Sequence, residues 1–333
     1  AWSSESSLVW LMQANGPRQL LNGHTDEVNG ILFFPMGDRV LTWSQDGKAI
    51  IWDTASGAIL RRLVHDGGAV DCAHIFPDGN EVLTCGEDGH GIIWDVETGK
   101  ARITLPSRSV RAARVFPDGT RLLTWGRDAL ATVWDVASGQ AVCSFGGHRS
   151  SIIAAMAFPD GKWVITGGMD HKAFIWSPET CEAWLELDHP YWVTHVAVLE
   201  GGKVATISGA GRVSIWNATS GERLCRLVKP SSHHSIAPFS HGDRLATVTL
   251  GKAVIWNSTT GEALQRLVSL PARTWGVAVA PGGDLVATCG SDQVATWDVE
   301  SGAKLQTFTG AAAMGDARGE APASCIVTVG LWR

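Results

Sequence analysis

Histidine, threonine and aspartate recur along this chain in sets whose members could share protons: His24 with Thr42 and Asp46, His65 with Thr84 and Asp88, His148 with Thr166 and Asp170. An imidazole that passes a proton, a hydroxyl that attacks and a carboxylate that orients the imidazole are the ingredients of nucleophilic catalysis. One set would invite that reading. Repetition at one phase, each threonine followed ten residues later by a tryptophan (Trp52, Trp94, Trp176), argues for scaffold instead. No Walker-type loop, GxSxG or HExxH accompanies them. No catalytic residue is assigned.

Metal and cofactor chemistry find no foothold either. His233, His234 and His241 fall in a loop and a turn without ordered ligand spacing, and no CxxC is present. Asn217-Ala-Thr219 and Asn257-Ser-Thr259 have the form of glycosylation sequons, but asparagine suits the turn geometry at those places equally well. The seven cysteines include Cys85, Cys289 and Cys325 in one type of predicted strand and Cys143 and Cys225 in another. There they read as small buried apolar side chains, not a disulfide framework, and a reducing, cytoplasmic compartment is expected. A net charge of −6 argues against wholesale binding to nucleic acid or anionic membranes. No apolar run is long enough to span a bilayer. The chain begins with Ala1, which suggests one module of a longer polypeptide.

What positions all these residues is a repeat. Tryptophans at 10, 52, 94, 134, 176, 216, 256 and 297 are spaced by 42, 42, 40, 42, 40, 40 and 41. Self-similarity at such a period marks stacked units that cannot bury their apolar faces alone. In the unit 76–99, Pro77-Asp78-Gly79 and Glu87-Asp88-Gly89 are tight turns, and Asp95 to Gly99 turns again. Four strands of about five residues follow per unit, here 70–76, 81–85, 91–94 and 102–105. Their apolar runs alternate poorly, as expected of sheets covered on both faces.

The Trp-Asp pairs (Trp52-Asp53, Trp94-Asp95, Trp134-Asp135, Trp297-Asp298), the upstream FPDG turns and the period together resemble the WD40 repeat over about residues 18–308. The resemblance implies an all-β fold, a β-propeller of four-stranded antiparallel blades with strands a to d running outward from a central channel. A single domain over 1–333 is expected, with repeats at about 18–53, 59–95, 101–135, 141–177, 183–217, 223–257 and 263–298. Strand-like pieces at 8–11 and 18–21 match types c and d. With 309–333 they favour an eighth blade shared by the termini (1–17 and 309–333 closing or degenerate), with seven blades as the alternative.

In the family, the d–a loop histidine, strand b threonine, b–c turn aspartate and strand c tryptophan form a hydrogen-bonded chain. The resemblance therefore implies structural tetrads at His24-Thr42-Asp46-Trp52, His65-Thr84-Asp88-Trp94 and His148-Thr166-Asp170-Trp176. Other blades are incomplete: Thr124 and Asp128 lack a histidine, His189 and Thr206 lack the aspartate, and Thr288 with Asp292 lack the histidine. Family members commonly bind partners on the face made by d–a and b–c loops. Trp43, Trp125, Trp192 and Trp275 border that face, with Arg108, Arg111, Arg127 and Arg149. Tryptophan and arginine are hot-spot residues, so a protein or peptide partner, acidic or phosphorylated, is expected there. The resulting expectation is a non-catalytic interaction scaffold without cofactor or metal. A propeller enzyme and a nucleic-acid binder are the alternatives. The innermost strands offer mainly apolar and small residues, with Arg111 and Arg114 as exceptions and no carboxylate cluster.

Overall fold

The computed structural model describes residues 9–11, 19–66, 68–107, 109–209, 211–227, 233–239, 243–249, 252–267, 274–280, 282–290 and 293–309. Seven four-stranded antiparallel sheets follow one another along the chain, each built from consecutive strands. They form blades 1 to 7, covering residues 28–64, 70–104, 110–145, 152–188, 193–227, 233–267 and 274–309. A two-stranded sheet, Val9–Leu11 paired with Gln19–Leu21, precedes them. Among the described residues, the eight blades expected are corrected to seven complete blades and an N-terminal hairpin. The hairpin has the c and d strands read from the sequence, but the stretch 310–333 that was to complete it lies outside the described residues.

The blades exist because each strand b and strand c is apolar on both sides. In blade 1, Val40 and Trp52 pack toward the hairpin's Leu21, while Leu41, Trp43 and Ile51 pack toward Val70 and Val82 of blade 2. Similar buried clusters join blades 2 and 3, 3 and 4, 4 and 5, 5 and 6, and 6 and 7. Strand d, outermost, is mostly exposed. Burial of some ten apolar side chains per junction, at roughly 1.5–3 kcal/mol each, is what holds neighbouring sheets together.

Two local devices recur. Strand a of every blade carries a bulge near its start, as between Val28 and Gly30, Val70 and Cys72, and Val110 and Ala112. The extra residue, Asn29, Asp71 or Arg111, sits at the end of the blade where the d–a loop and b–c turn meet. At the opposite end, the c–d turn closes with a residue at positive φ: Gly57, Gly99, Gly139, Gly221, Gly261 and Gly302. A side chain from strand d of the preceding blade covers it, Arg61 over Gly99 and Ile103 over Gly139.

Between blades 3 and 4 this contact is covalent. Cys143 of strand d is disulfide-bonded to Cys181, which takes the turn position at a φ of 60°. The reading of Cys143 as an unpaired apolar residue is corrected. The expectation of a reducing compartment drew on unpaired cysteines and loses that support here. Cys72, Cys85 and Cys225 are free thiols.

Candidate functional site

Strand c presents its tryptophan to the strand b threonine in six blades: Trp52 to Thr42, Trp94 to Thr84, Trp134 to Thr124, Trp216 to Thr206, Trp256 to Thr247 and Trp297 to Thr288, at 2.8–2.9 Å. The full chain is closed in blade 1, where His24 Nε2 lies 2.8 Å from Thr42 Oγ1 and its Nδ1 3.1 Å from Asp46. In blade 4, His148 contacts Thr166 at 2.9 Å and Asp170 at 2.9 Å. There the chain ends at Thr166: Trp176 Nε1 has no partner, and its ring stacks on Phe145 at 5.0 Å. His189 bonds Thr206 and the Leu187 carbonyl, so a backbone oxygen replaces the missing aspartate.

Blade 2 departs from the tetrad. Trp94 donates to Thr84, but His65 reaches neither Thr84 nor Asp88, whose Oδ2 is 3.7 Å from Nδ1. The residue types are present and the chain is open. Burial pulls the imidazoles of His24, His148 and His189 below their ordinary value, only partly opposed by their acceptors, so all three are neutral near pH 7. Burial pushes Asp46 up, but the Thr25 N–H and His24 outweigh it, and its carboxyl ends below the usual range.

On the face formed by d–a loops and b–c turns, the proposed partner residues separate sharply. Trp43 is 1% exposed and Trp125 6%, both wedged between blades. Trp43 lies over Gly30, where a Cβ would collide with the indole, and Trp125 Nε1 donates to the Ile153 carbonyl at 3.3 Å. Neither can meet a partner, which corrects their place in the binding set. Trp192 is 50% exposed. Arg111, Arg127 and Arg149 are exposed. Arg108 and the side chain of Trp275 lie outside the described residues, as does His241.

Arg111 and Arg127 are not free cations facing solvent alone. Asp71 sits at the neighbouring bulge with its carboxyl raised by burial and by Glu87, while both arginines draw it down. Exposed apolar residues escaped the sequence reading: Leu130 in the b–c turn of blade 3, Met169 in that of blade 4, and Tyr191 beside Trp192 entering blade 5. Arg212 stands over the Tyr191 ring at 5.3 Å. A signal for them was available, since Ala129 and His171 occupy turn positions held by Gly47 and Gly89 elsewhere and adopt φ of 63° and 67°. Non-glycine residues in that region concentrate where a surface is specialised.

Along the channel, His74 of blade 2 and Arg114 of blade 3 are neighbours. Burial within the ring, then Arg114, pushes His74 down to about 3. Arg114 itself is exposed to the channel. Among the described residues no group of histidine, cysteine and carboxylate side chains could hold a metal ion, and no helix is long and apolar enough to cross a membrane.

The seven radial four-stranded sheets define the class: a β-propeller. Residues 15–53, 57–95 and 139–177 match the family model of the WD domain, G-beta repeat. Three stretches of the chain thus match WD40 repeats within that propeller. Among solved structures, the computationally designed Ika8 protein is similar at a TM-score of 0.79 and 20% identity, over 88% of this chain and 90% of that one, a likeness of fold alone. No curated protein matches the chain.

Proposed function

We propose that the propeller is a non-catalytic scaffold that binds an acidic or phosphorylated protein segment across the loop face of blades 3 to 5. The observation that supports this reading is the joint exposure, on consecutive blades, of Arg127 and Leu130, Arg149 and Met169, and Tyr191, Trp192 and Arg212. Exposed aromatic and apolar groups beside guanidinium groups give both buried area and directed bonds to carboxylate or phosphate. Rigid turns hold them: Asp170 accepts the Arg149 backbone N–H at 2.9 Å, and Met169 N–H donates to the Ser151 carbonyl. Asp71 draws on both Arg111 and Arg127, so part of their pull on an incoming anion is offset within the ring.

The test is an array of acidic, phosphorylated, neutral and basic peptides probed with the full chain and with an Arg127→Glu/Arg149→Glu variant. Acidic or phosphorylated peptides should be retained by the native chain and released by the reversed one. Retention that ignores peptide charge, or survives the reversal, would overturn the reading.

A further inference from the structure

Strands a and b of blade 2 set two thiols directly opposite each other. Cys72 and Cys85 are register partners across the antiparallel pair, just past the bulge between Val70 and Cys72. Opposed residues on antiparallel strands project to the same face with Cβ atoms about 4.5–5.5 Å apart, and a disulfide needs roughly 3.5–4.5 Å. A small approach of the two strands would close that gap without rearranging the fold. Both side chains pack in the one cluster that joins blades 2 and 3. None of the other six blades repeats the pairing. In blades 1 and 3 the same register sets Gly30 against Trp43 and Ala112 against Trp125.

The two thiols differ in what can reach them. Cys85 is 0% exposed, whereas Cys72 is half-buried on the strand that lines the channel. Burial, then the Cys72 thiol beside it, pushes Cys85 well up. Cys85 therefore stays protonated, and because the thiolate is the nucleophile, the first attack falls to Cys72. Arg114 of blade 3 lies within electrostatic reach of Cys72 and is exposed to the channel. Its charge draws small anions toward that strand.

We propose that Cys72 and Cys85 form a thiol–disulfide exchange site, oxidised to a cross-strand disulfide by a small anionic disulfide such as oxidised glutathione. The Cys72 thiolate attacks one sulfur of that reagent, forming a mixed disulfide and expelling one glutathione thiolate. Cys85 then loses its proton and attacks the Cys72 sulfur, and the second glutathione leaves with the electron pair of the broken bond. Two protein thiols and one disulfide become one protein disulfide and two glutathione thiols, which take up the two cysteine protons. The site lies within blade 2, apart from the face of blades 3 to 5, so the two proposals stand or fall independently.

The experiment incubates the full native chain with oxidised glutathione, quenches with acid, denatures, alkylates with N-ethylmaleimide and maps tryptic fragments by mass. Cleavage after Arg62 and Lys100 leaves both cysteines in one fragment, 63–100. That fragment should come two hydrogens lighter and free of alkylation, and should regain two alkylated thiols when the chain is first treated with reduced glutathione in excess. Cys85→Ala should leave Cys72 carrying glutathione. Cys72→Ala should leave Cys85 unmodified until the chain is denatured. The result on the native chain stands whether or not the variants fold. Two alkylated thiols in the native fragment after oxidation, or glutathione held on Cys72 with Cys85 still alkylated, would overturn the proposal.

Discussion

Cys143 and Cys181 are bonded across the junction of blades 3 and 4, and Cys181 holds a φ of 60° where six sibling turns place glycine. A side chain in that region costs roughly 1–2 kcal/mol. The bond that offsets it spans 38 residues of sequence and is worth about 3–4 kcal/mol in the chain-entropy account. Reduction should therefore lower the melting temperature of the native chain. A Cys143→Ala/Cys181→Gly variant, which restores the sibling turn, should melt between the oxidised and reduced forms and ignore reductant. Thermal scans with and without dithiothreitol decide it, and identical native melts would remove any stabilising role for the bond.

The open chain in blade 2 ranks the histidines. Removing His24 or His148 strands a buried threonine and a carboxylate that each lose a partner. Such losses cost about 1–3 kcal/mol. His65 makes no hydrogen bond, so His65→Ala forfeits packing alone. Denaturant melts should rank His24→Ala and His148→Ala as more damaging than His65→Ala. The reverse order would show that blade 2 closes its chain in solution.

How much of this was legible in the sequence follows from what the repeat can and cannot carry. Tryptophan spacing survives in every unit, so the strands and blades could be read residue by residue; of the three implied Trp–Thr bonds, those of Trp52 and Trp94 form and that of Trp176 does not. Even the pairing of Val9–Leu11 with Gln19–Leu21 followed from strand type. The disulfide could not, because Cys143 and Cys181 meet only once strand d of one blade is known to cover the next blade's turn. The trace was there, a cysteine in a glycine slot. Trp43 and Trp125 were misplaced because nearness to a loop says nothing about which way an indole points, and Gly30 opens an inward course for Trp43. The failure of the His65 set is subtler still. Its residue types are intact, but His65 follows the buried strand d residue Leu63 by two positions where His24 follows Leu21 and His148 follows Phe145 by three.

Acid should weaken the ring through its neutral histidines. His24, His65, His148 and His189 are held below their ordinary value by burial, and His74 is pushed down to about 3. Below about pH 6.5 the unfolded chain takes up protons that the folded chain refuses, so stability falls as pH falls through that window. Asp46, lowered in the fold, keeps its contribution until the pH drops below its unfolded value and plays no part between pH 7 and 5. The siblings of His74 in register are Leu32 and Met156, so His74→Leu suits the channel. That variant should show a pH slope shallower by up to about 1.4 kcal/mol per unit below pH 6. A native slope unchanged by the substitution would mean that His74 protonates freely inside the ring.

Exposure separates two tryptophans that composition cannot. Trp43, at 1% exposed, is packed in the cluster joining blades 1 and 2 with Leu41, Ile51 and Val82. Trp43→Ala should cost roughly 3–5 kcal/mol, the range for emptying a large buried site. Trp192, at 50% exposed, borders the loop face beside Tyr191, and Trp192→Ala should shift the melt by little more than about 0.5 kcal/mol. The same change should weaken retention of acidic peptides, because a large exposed ring beside guanidinium groups contributes area only when a partner covers it. Melts and peptide retention measured on the two variants together give opposite patterns. Trp43→Ala loses stability first and binding as a consequence, whereas Trp192→Ala loses binding from an intact ring. If Trp192→Ala instead destabilised the chain as much as Trp43→Ala, its ring would be serving the fold, and the partner-binding face would lose its central aromatic contact.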